Sequence, residues 1–214
     1  MDRSRVDVRD TYDRIAEHFS KTREYAWPEV ETFVENAESV ERALDIGCGN
    51  GRHVETLHQR ADRVLGVDVS RSLLDAAGER VPDAGVLLGD ASRLPIVSER
   101  VDLAVYVATL HHLPSREARI ASLDELARVL HSDGKALVSA WSTAHDRFDV
   151  PADAEEGFDT TVEWTLPGGE AVARFYHIYA PAEFRADVEA SELALVECEI
   201  SSGNCYGTVR PASH

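Results

Sequence analysis

Lysine is nearly missing from this sequence. Of 22 basic residues only Lys21 and Lys135 are lysine, set against 39 aspartates and glutamates, for a formal net charge of −17. Such a balance excludes a broad basic surface of the kind that draws nucleic acid non-specifically. An acidic, lysine-poor surface suits a cytoplasm held at high salt, as in haloarchaea, where screening suppresses self-repulsion. The alternative is an acidic face for a basic partner. Cysteine is scarce too: Cys48, Cys198 and Cys205 are too few and too scattered for a disulfide framework or a zinc cluster, so no metal site is expected. They read as small buried thiols, although Cys198 and Cys205 could pair across a hairpin. No apolar run reaches membrane-spanning length. The charged start, Met1-Asp2-Arg3-Ser4-Arg5, has no apolar stretch after it. A cytoplasmic chain without membrane contact is the expectation.

The 214 residues suit one domain in four stretches: a helical segment over 1–40, a core over 41–141, a polar and acidic insertion over 142–170, and closing strands over 171–214. In the first stretch Val8, Tyr12, Ile15 and Phe19 recur at helical spacing, and Trp27-Pro28 opens a second helix. From residue 42 strands and helices alternate. Ala43–Ile46, Val64–Val67, Val86–Leu88, Val101–Val107 and Ala136–Trp141 read as strands, with Ser70 and Ser115 as helix caps and Asp133-Gly134 as a turn. This alternation predicts a doubly wound, mostly parallel α/β sheet. The insertion reads as long and partly mobile. A strand over Ala171–Tyr179, a helix opened by Pro181 and a last hairpin are expected to finish the sheet. Gly85–Gly89 should lie at a sheet edge and carries no charge, which leaves it open to strand addition.

The most informative local segment is Leu44-Asp45-Ile46-Gly47-Cys48-Gly49-Asn50-Gly51. Glycines at 47, 49 and 51 allow close backbone approach to a ligand and a sharp turn into a helix. A dinucleotide fingerprint needs glycine at 52, where this chain has Arg52. Asp45 would repel a pyrophosphate and suits a ligand with a cationic amino-acid end. Asp68, ending the second strand beside Val69, can accept both hydroxyls of a ribose. Asp90, with Ala91, can meet an adenine amino group after the third strand. Three aspartates at consecutive strand ends carry far more weight than one. Cys48, Asn50 and Val107 complete the expected cofactor wall.

Over about residues 40–141 the chain resembles the class I S-adenosylmethionine-dependent methyltransferases, which implies a Rossmann-like seven-stranded sheet with a terminal antiparallel strand. A narrower resemblance rests on Tyr12 to Arg23 with Trp27-Pro28, on Leu110-His111-His112, on Ala127 to Leu130, on Ala140-Trp141 and on Arg174 to Tyr179. These segments are similar to the wobble-uridine tRNA carboxymethyl methyltransferases, the family that includes the methyltransferase domain of AlkB homologue eight. The short acidic insertion and Cys205-Tyr206, where that family has paired aromatics, are departures. The resemblance implies methyl-ester formation on 5-carboxymethyluridine of tRNA, with a small zinc-binding activator subunit as partner; the uncharged edge at Val86–Leu88 is a candidate place for it to dock by strand addition.

A carboxylate acceptor needs orientation rather than a base, and arginine is its natural clamp. Arg23 and Arg174 are the candidates, with His111 as a hydrogen-bonding partner and His112 as structural. Tyr12, Trp27 and Tyr176 could stack on an extruded base, while Asn204 could read the uracil edge. His18 and His177 enter through their motifs only. Each has a plainer reading as packing or a surface ion pair. A local cluster of Arg14, Arg23, Arg52, Arg147 and Arg174, or the partner, would have to supply the missing positive surface. The rival readings are a small-molecule methyltransferase acting on a carboxylate, quinone or sterol, and a cofactor-binding scaffold without activity.

Overall fold

In the computed structural model, residues 5–151 and 154–212 are described, with side chains from residue 8 onward. Helices α1 (Arg5–Lys21) and α2 (Pro28–Glu35) precede β1 (Val40–Ile46). Then come α3 (Arg52–Leu57), β2 (Ala61–Asp68), α4 (Arg71–Arg80), β3 (Gly85–Leu88) and β4 (Val101–Tyr106). A 3₁₀ turn (Leu110–His112) leads to α5 (Arg116–Val129) and β5 (Leu130–Trp141). The chain closes with β6 (Phe158–Thr165), β7 (Ala171–Ile178), α6 (Pro181–Glu189), β8 (Leu193–Ser201) and β9 (Asn204–Pro211).

Seven strands form one sheet in the order β3-β2-β1-β4-β5-β9-β8, with the pairs from β3 to β5 parallel and β9 antiparallel to both neighbours. The central strands are apolar on both faces because helices cover both. Leu44, Ile46, Ala104 and Tyr106 pack against Leu123 and Leu126 of α5 and Phe184 and Val188 of α6. Ala43, Leu103 and Val105 face the other way, toward Val30, Val34, Val54 and Leu57. The expected caps are present: Ser70 Oγ accepts from Leu73 N, and Ser115 Oγ accepts from Ala118 N. No described helix is long and apolar enough to cross a membrane.

Three expectations need correction. Asp133-Gly134 is no turn before β5 but lies inside it, where the pairing with β4 slips between Val101 and Leu103. A Cβ on Gly134 would stand 2.9 Å from the carbonyls of His131 and Val101, so the fold-back needs glycine. The 142–170 stretch is not a loop throughout, because its second half contains β6. The strand after it does not join the main sheet: β7 pairs with β6 from Phe158↔Ile178 to Thr165↔Ala171 as a separate hairpin. Tyr179 N donates to Trp141 O (2.9 Å) and Thr143 N to Tyr179 O (2.9 Å), which stands that hairpin on the carboxyl end of β5.

Candidate active site

Parallel strands that start in one layer end in one layer, and the ends of β1, β2, β3 and β4 open a crevice there. Its wall contains Gly47, Cys48, Gly49, Asn50, Asp68, Val69, Asp90, Ala91 and Val107 from the expected set. Arg52, His53, Gly89, Ala108, Thr109, His112 and Leu113 join them, and Val8, Tyr12 and Phe19 of α1 cover the opening. Gly47 (φ 72°) has Thr109 packed where a Cβ would be, and Gly49 (φ 54°) leaves its space open except for Phe19 Cε1 at 3.8 Å. Ala108, at φ 54°, is a non-glycine residue in the left-handed region on the same wall. Strain of that kind costs about 1–3 kcal/mol and persists where a site requires it.

Two members of the expected wall sit outside it. Gly51 (φ 81°) turns toward α4, where a Cβ would meet Val81 and Ala77 at 3.1–3.2 Å, so its glycine serves helix packing. Asp45 lies beneath the loop, fully buried, with Oδ2 lacking a hydrogen-bond partner. Burial, then the Asp68 charge, raises its carboxyl to about 8. An orphaned acidic oxygen under an open glycine cradle fits a ligand with a cationic amino-acid end. Asp68 accepts from Gly49 N and Ser70 N, both at 2.8 Å, so its carboxylate ties the loop to α4 as well as facing the crevice. Asp90 Oδ1 accepts from Ser92 N (2.8 Å) and Ser92 Oγ (2.7 Å). Asn50 lines the crevice, yet its amide donates to Ser20 O (3.2 Å) and Arg23 O (2.8 Å), holding the segment after α1 against the loop.

The two adjacent histidines exchange their expected places. His111 is buried behind the wall, accepting from Trp141 N at Nδ1 (3.0 Å) and stacked on Tyr176 at 4.8 Å. His112 borders the crevice instead. Its Nδ1 donates to Phe175 O (2.8 Å), so Nε2 accepts the Tyr12 hydroxyl (2.7 Å). Burial lowers His112 to about 4 and holds His111 well below the ordinary imidazole range, and both are neutral near pH 7.

Beyond Tyr12 the crevice meets an aromatic cluster. Arg174 is 7% exposed, and its Nε has no hydrogen-bond partner. Its guanidinium lies 4.9 Å from the Trp164 ring centre and 5.2 Å from that of Tyr176. Arg23 stands 5.5 Å from Trp164, and Arg147 5.8 Å from Trp141. Three of the five nominated arginines therefore gather here. Arg14 instead pairs with Glu170, and Arg52 stacks on Trp27 at 5.1 Å. Trp27 packs on His53 rather than facing the cluster. His18 accepts the Trp164 indole N–H (3.1 Å). His177 points to the opposite face of β7 from Tyr176, between Asp159 (2.8 Å) and Glu183 (2.9 Å), and is structural. Asn204 Nδ2 is spent on Ser202 O (3.1 Å) in the β8–β9 turn, opposite Trp141 in register.

A methyltransferase-domain family profile matches residues 44–138. The chain is 36% identical over 135 residues to a tRNA (carboxymethyluridine(34)-5-O)-methyltransferase of Xenopus tropicalis, covering 63% of this chain and 21% of that longer protein. A protein of Encephalitozoon cuniculi assigned to the methyltransferases is 33% identical over 172 residues, 78% of either chain. Among solved structures, DhpI with S-adenosylhomocysteine superposes with a TM-score of 0.76 at 17% identity, over 98% of this chain and 97% of that one. A chain of the Haloferax volcanii complex between the Trm112 activator and a methyltransferase gives 0.71 at 16% identity, over 97% and 98%.

Proposed function

The chain belongs to the S-adenosylmethionine-dependent methyltransferases, and from that premise we propose that it methylates the carboxylate of 5-carboxymethyluridine at the wobble position of tRNA. One observation carries the choice of acceptor: Arg174 is buried with an unpartnered Nε between two aromatic rings, next to the crevice. A buried guanidinium without a counter-ion costs several kcal/mol. An acceptor carboxylate removes that cost and gains fork-shaped recognition.

S-adenosylmethionine supplies a methyl group activated on a sulfonium. The acceptor carboxylate is already ionised, so Arg174 would orient its oxygen toward the bound donor's methyl and no residue would have to take a proton. His111 and His112, both made weakly basic by burial, agree with a reaction that asks for no base. Tyr12, held by His112, closes the crevice over the reacting atoms. Trp141, Trp164 and Tyr176 offer ring edges and faces to an extruded uracil, and Arg147 at the rim suits a phosphate.

The partner is a small activator of the type seated on the Haloferax volcanii relative. Strand β3 supports this reading: it lies at the sheet edge, with Leu88 55% and Leu87 36% exposed, and Val97 nearby in sequence is 69% exposed. Labelled cofactor with tRNA carrying carboxymethyluridine, with and without activator, followed by digestion to nucleosides, tests the proposal. A labelled methyl-ester nucleoside is expected. Label appearing only in small carboxylic acids offered in parallel would replace tRNA with a small-molecule acceptor.

A further inference from the structure

Two aromatic rings join the buried arginine to the rim of the cluster. Tyr176 lies 5.2 Å from the Arg174 guanidinium, Trp141 lies 5.2 Å from Tyr176, and the Arg147 guanidinium lies 5.8 Å from Trp141. Tyr176 feels the Arg147 charge, so the rim arginine bears on the same cavity. Arg147 is exposed, and no ion pair with it is found among the described residues, although Asp146 and Asp149 flank it in sequence. In a chain with 39 acidic and 22 basic side chains, an arginine that lies on a tryptophan and leaves adjacent carboxylates unpaired brings uncompensated positive charge to that spot. The turn carrying it is tied down on several sides. Ser142 N donates to Gly203 O (3.0 Å), His145 N to Ser142 O (3.1 Å) and Phe148 N to His145 O (2.9 Å). The His145 ring rests on Gly203, where a Cβ would come within 2.4 Å of it, and stands edge-on to Trp141 at 5.2 Å. His145 Nδ1 accepts from Arg147 N (3.0 Å). The ring proton therefore sits on Nε2, a donor for which no acceptor is found among the described residues.

We propose that the turn over 142–148 is a phosphodiester subsite, in which Arg147 and the His145 Nε2–H hold the linkage beside the acceptor nucleotide while Arg174 holds its carboxylate. The proposal rests on the tRNA reading and adds that the acceptor has to be part of a strand. A free nucleoside or a small carboxylic acid fills the Arg174 end alone. Two anions held at a fixed separation orient the acceptor, whereas a single anchor leaves it free to swivel. Phosphate contacts set register without reading sequence. A rim arginine beside a tryptophan gives an acidic chain such a contact without a broad basic surface.

The test uses an anticodon stem-loop carrying carboxymethyluridine in three forms: natural, and with the linkage on the 5′ or the 3′ side of that nucleotide replaced by an uncharged methylphosphonate. Transfer of labelled methyl by the whole chain, with activator present, gives KM for each. At least one neutral linkage should raise KM by about 3- to 20-fold, between the loss of an exposed ion pair and that of a charge-assisted hydrogen bond. Arg147→Ala should raise KM for the natural stem-loop by a similar factor and lose nothing further with the neutral linkage. Arg147→Lys should recover part of the loss. Equal KM on all three forms, or losses from Arg147→Ala and the neutral linkage that simply add, would overturn the subsite. The neutral linkage alters no residue, so the first comparison stands even where a variant fails to fold. Absence of transfer to every form would overturn the tRNA reading and this subsite with it.

Discussion

Burial, and after it the negative charge of Asp68, raise Asp45 to about 8, while Arg52 works in the opposite direction. The unfolded value is near 4, so the folded chain binds an extra proton between about pH 4 and 8. Over that window this residue's contribution to stability falls as pH rises. A cationic ligand end beside the loop favours the ionised form and reverses the trend. Cofactor binding at pH 7 should therefore release close to one proton, and affinity should drop several-fold from pH 8 to pH 7. Calorimetry in buffers of different ionisation enthalpy measures this, and zero proton release would remove Asp45 from cofactor recognition. A second prediction concerns Tyr12→Phe, which strips His112 Nε2 of its donor. A lost buried hydrogen bond costs about 1–3 kcal/mol, so thermal melting should fall by roughly 2–12 °C. The positions of the glycine loop and the three aspartates in the fold were legible because strand ends set them by local rules. The exchange of His111 and His112 was not, because a single 3₁₀ turn decides which ring meets the crevice. Strand alternation alone puts His177 on the face opposite Arg174 and Tyr176.

At the level of elements, α1 and the β6–β7 hairpin make the difference between a cofactor fold and a closed site. Asp13 of α1 accepts from Ser70 Oγ (2.6 Å) and Ser72 N (3.1 Å), so one serine both caps α4 and fastens the cover. Ser70→Ala should cost about 1–2 kcal/mol in denaturant unfolding and also weaken cofactor binding. Ser115→Ala, which removes the cap of α5 and its bond to Glu117, both away from the crevice, should cost about 1 kcal/mol and leave that affinity alone. Equal binding by both variants would show that α1 does not depend on Ser70. The hairpin escaped sequence reading because β6 is a mostly exposed, acid-containing strand, Phe158-Asp159-Thr160-Thr161-Val162-Glu163-Trp164-Thr165, with only Val162 fully buried. Its partner, not its own pattern, makes it a strand, and with it Trp164 was missed. The core strands, apolar on both faces, carried their own signal.

For the molecule as a whole, a net charge of −17 means self-repulsion that added salt screens. The urea midpoint should rise as potassium chloride is raised to molar levels, and a flat or falling profile would contradict this. RNA binding should show the opposite sign but a shallow slope. The arginines gathered at the cluster are Arg23, Arg147 and Arg174. Three contacts correspond to a log–log salt slope no steeper than about −3 for the chain alone. A much steeper slope would mean that positive surface has been overlooked. Composition announced the acidic exterior directly. It could not announce the gathering of these arginines, because Arg23 lies more than a hundred positions from Arg147 and Arg174.

The imidazole of His112 touches three segments at once, the Tyr12 hydroxyl in α1, its own turn after β4, and the Phe175 carbonyl in β7. The contacts to Tyr12 and Phe175 are far from local in sequence, so each must wait for long loops to close. During refolding, sheet formation and pocket completion should thus be separate events in time, with the pocket last. A chain paused between them would already hold its core and yet have nowhere to retain a methyl donor.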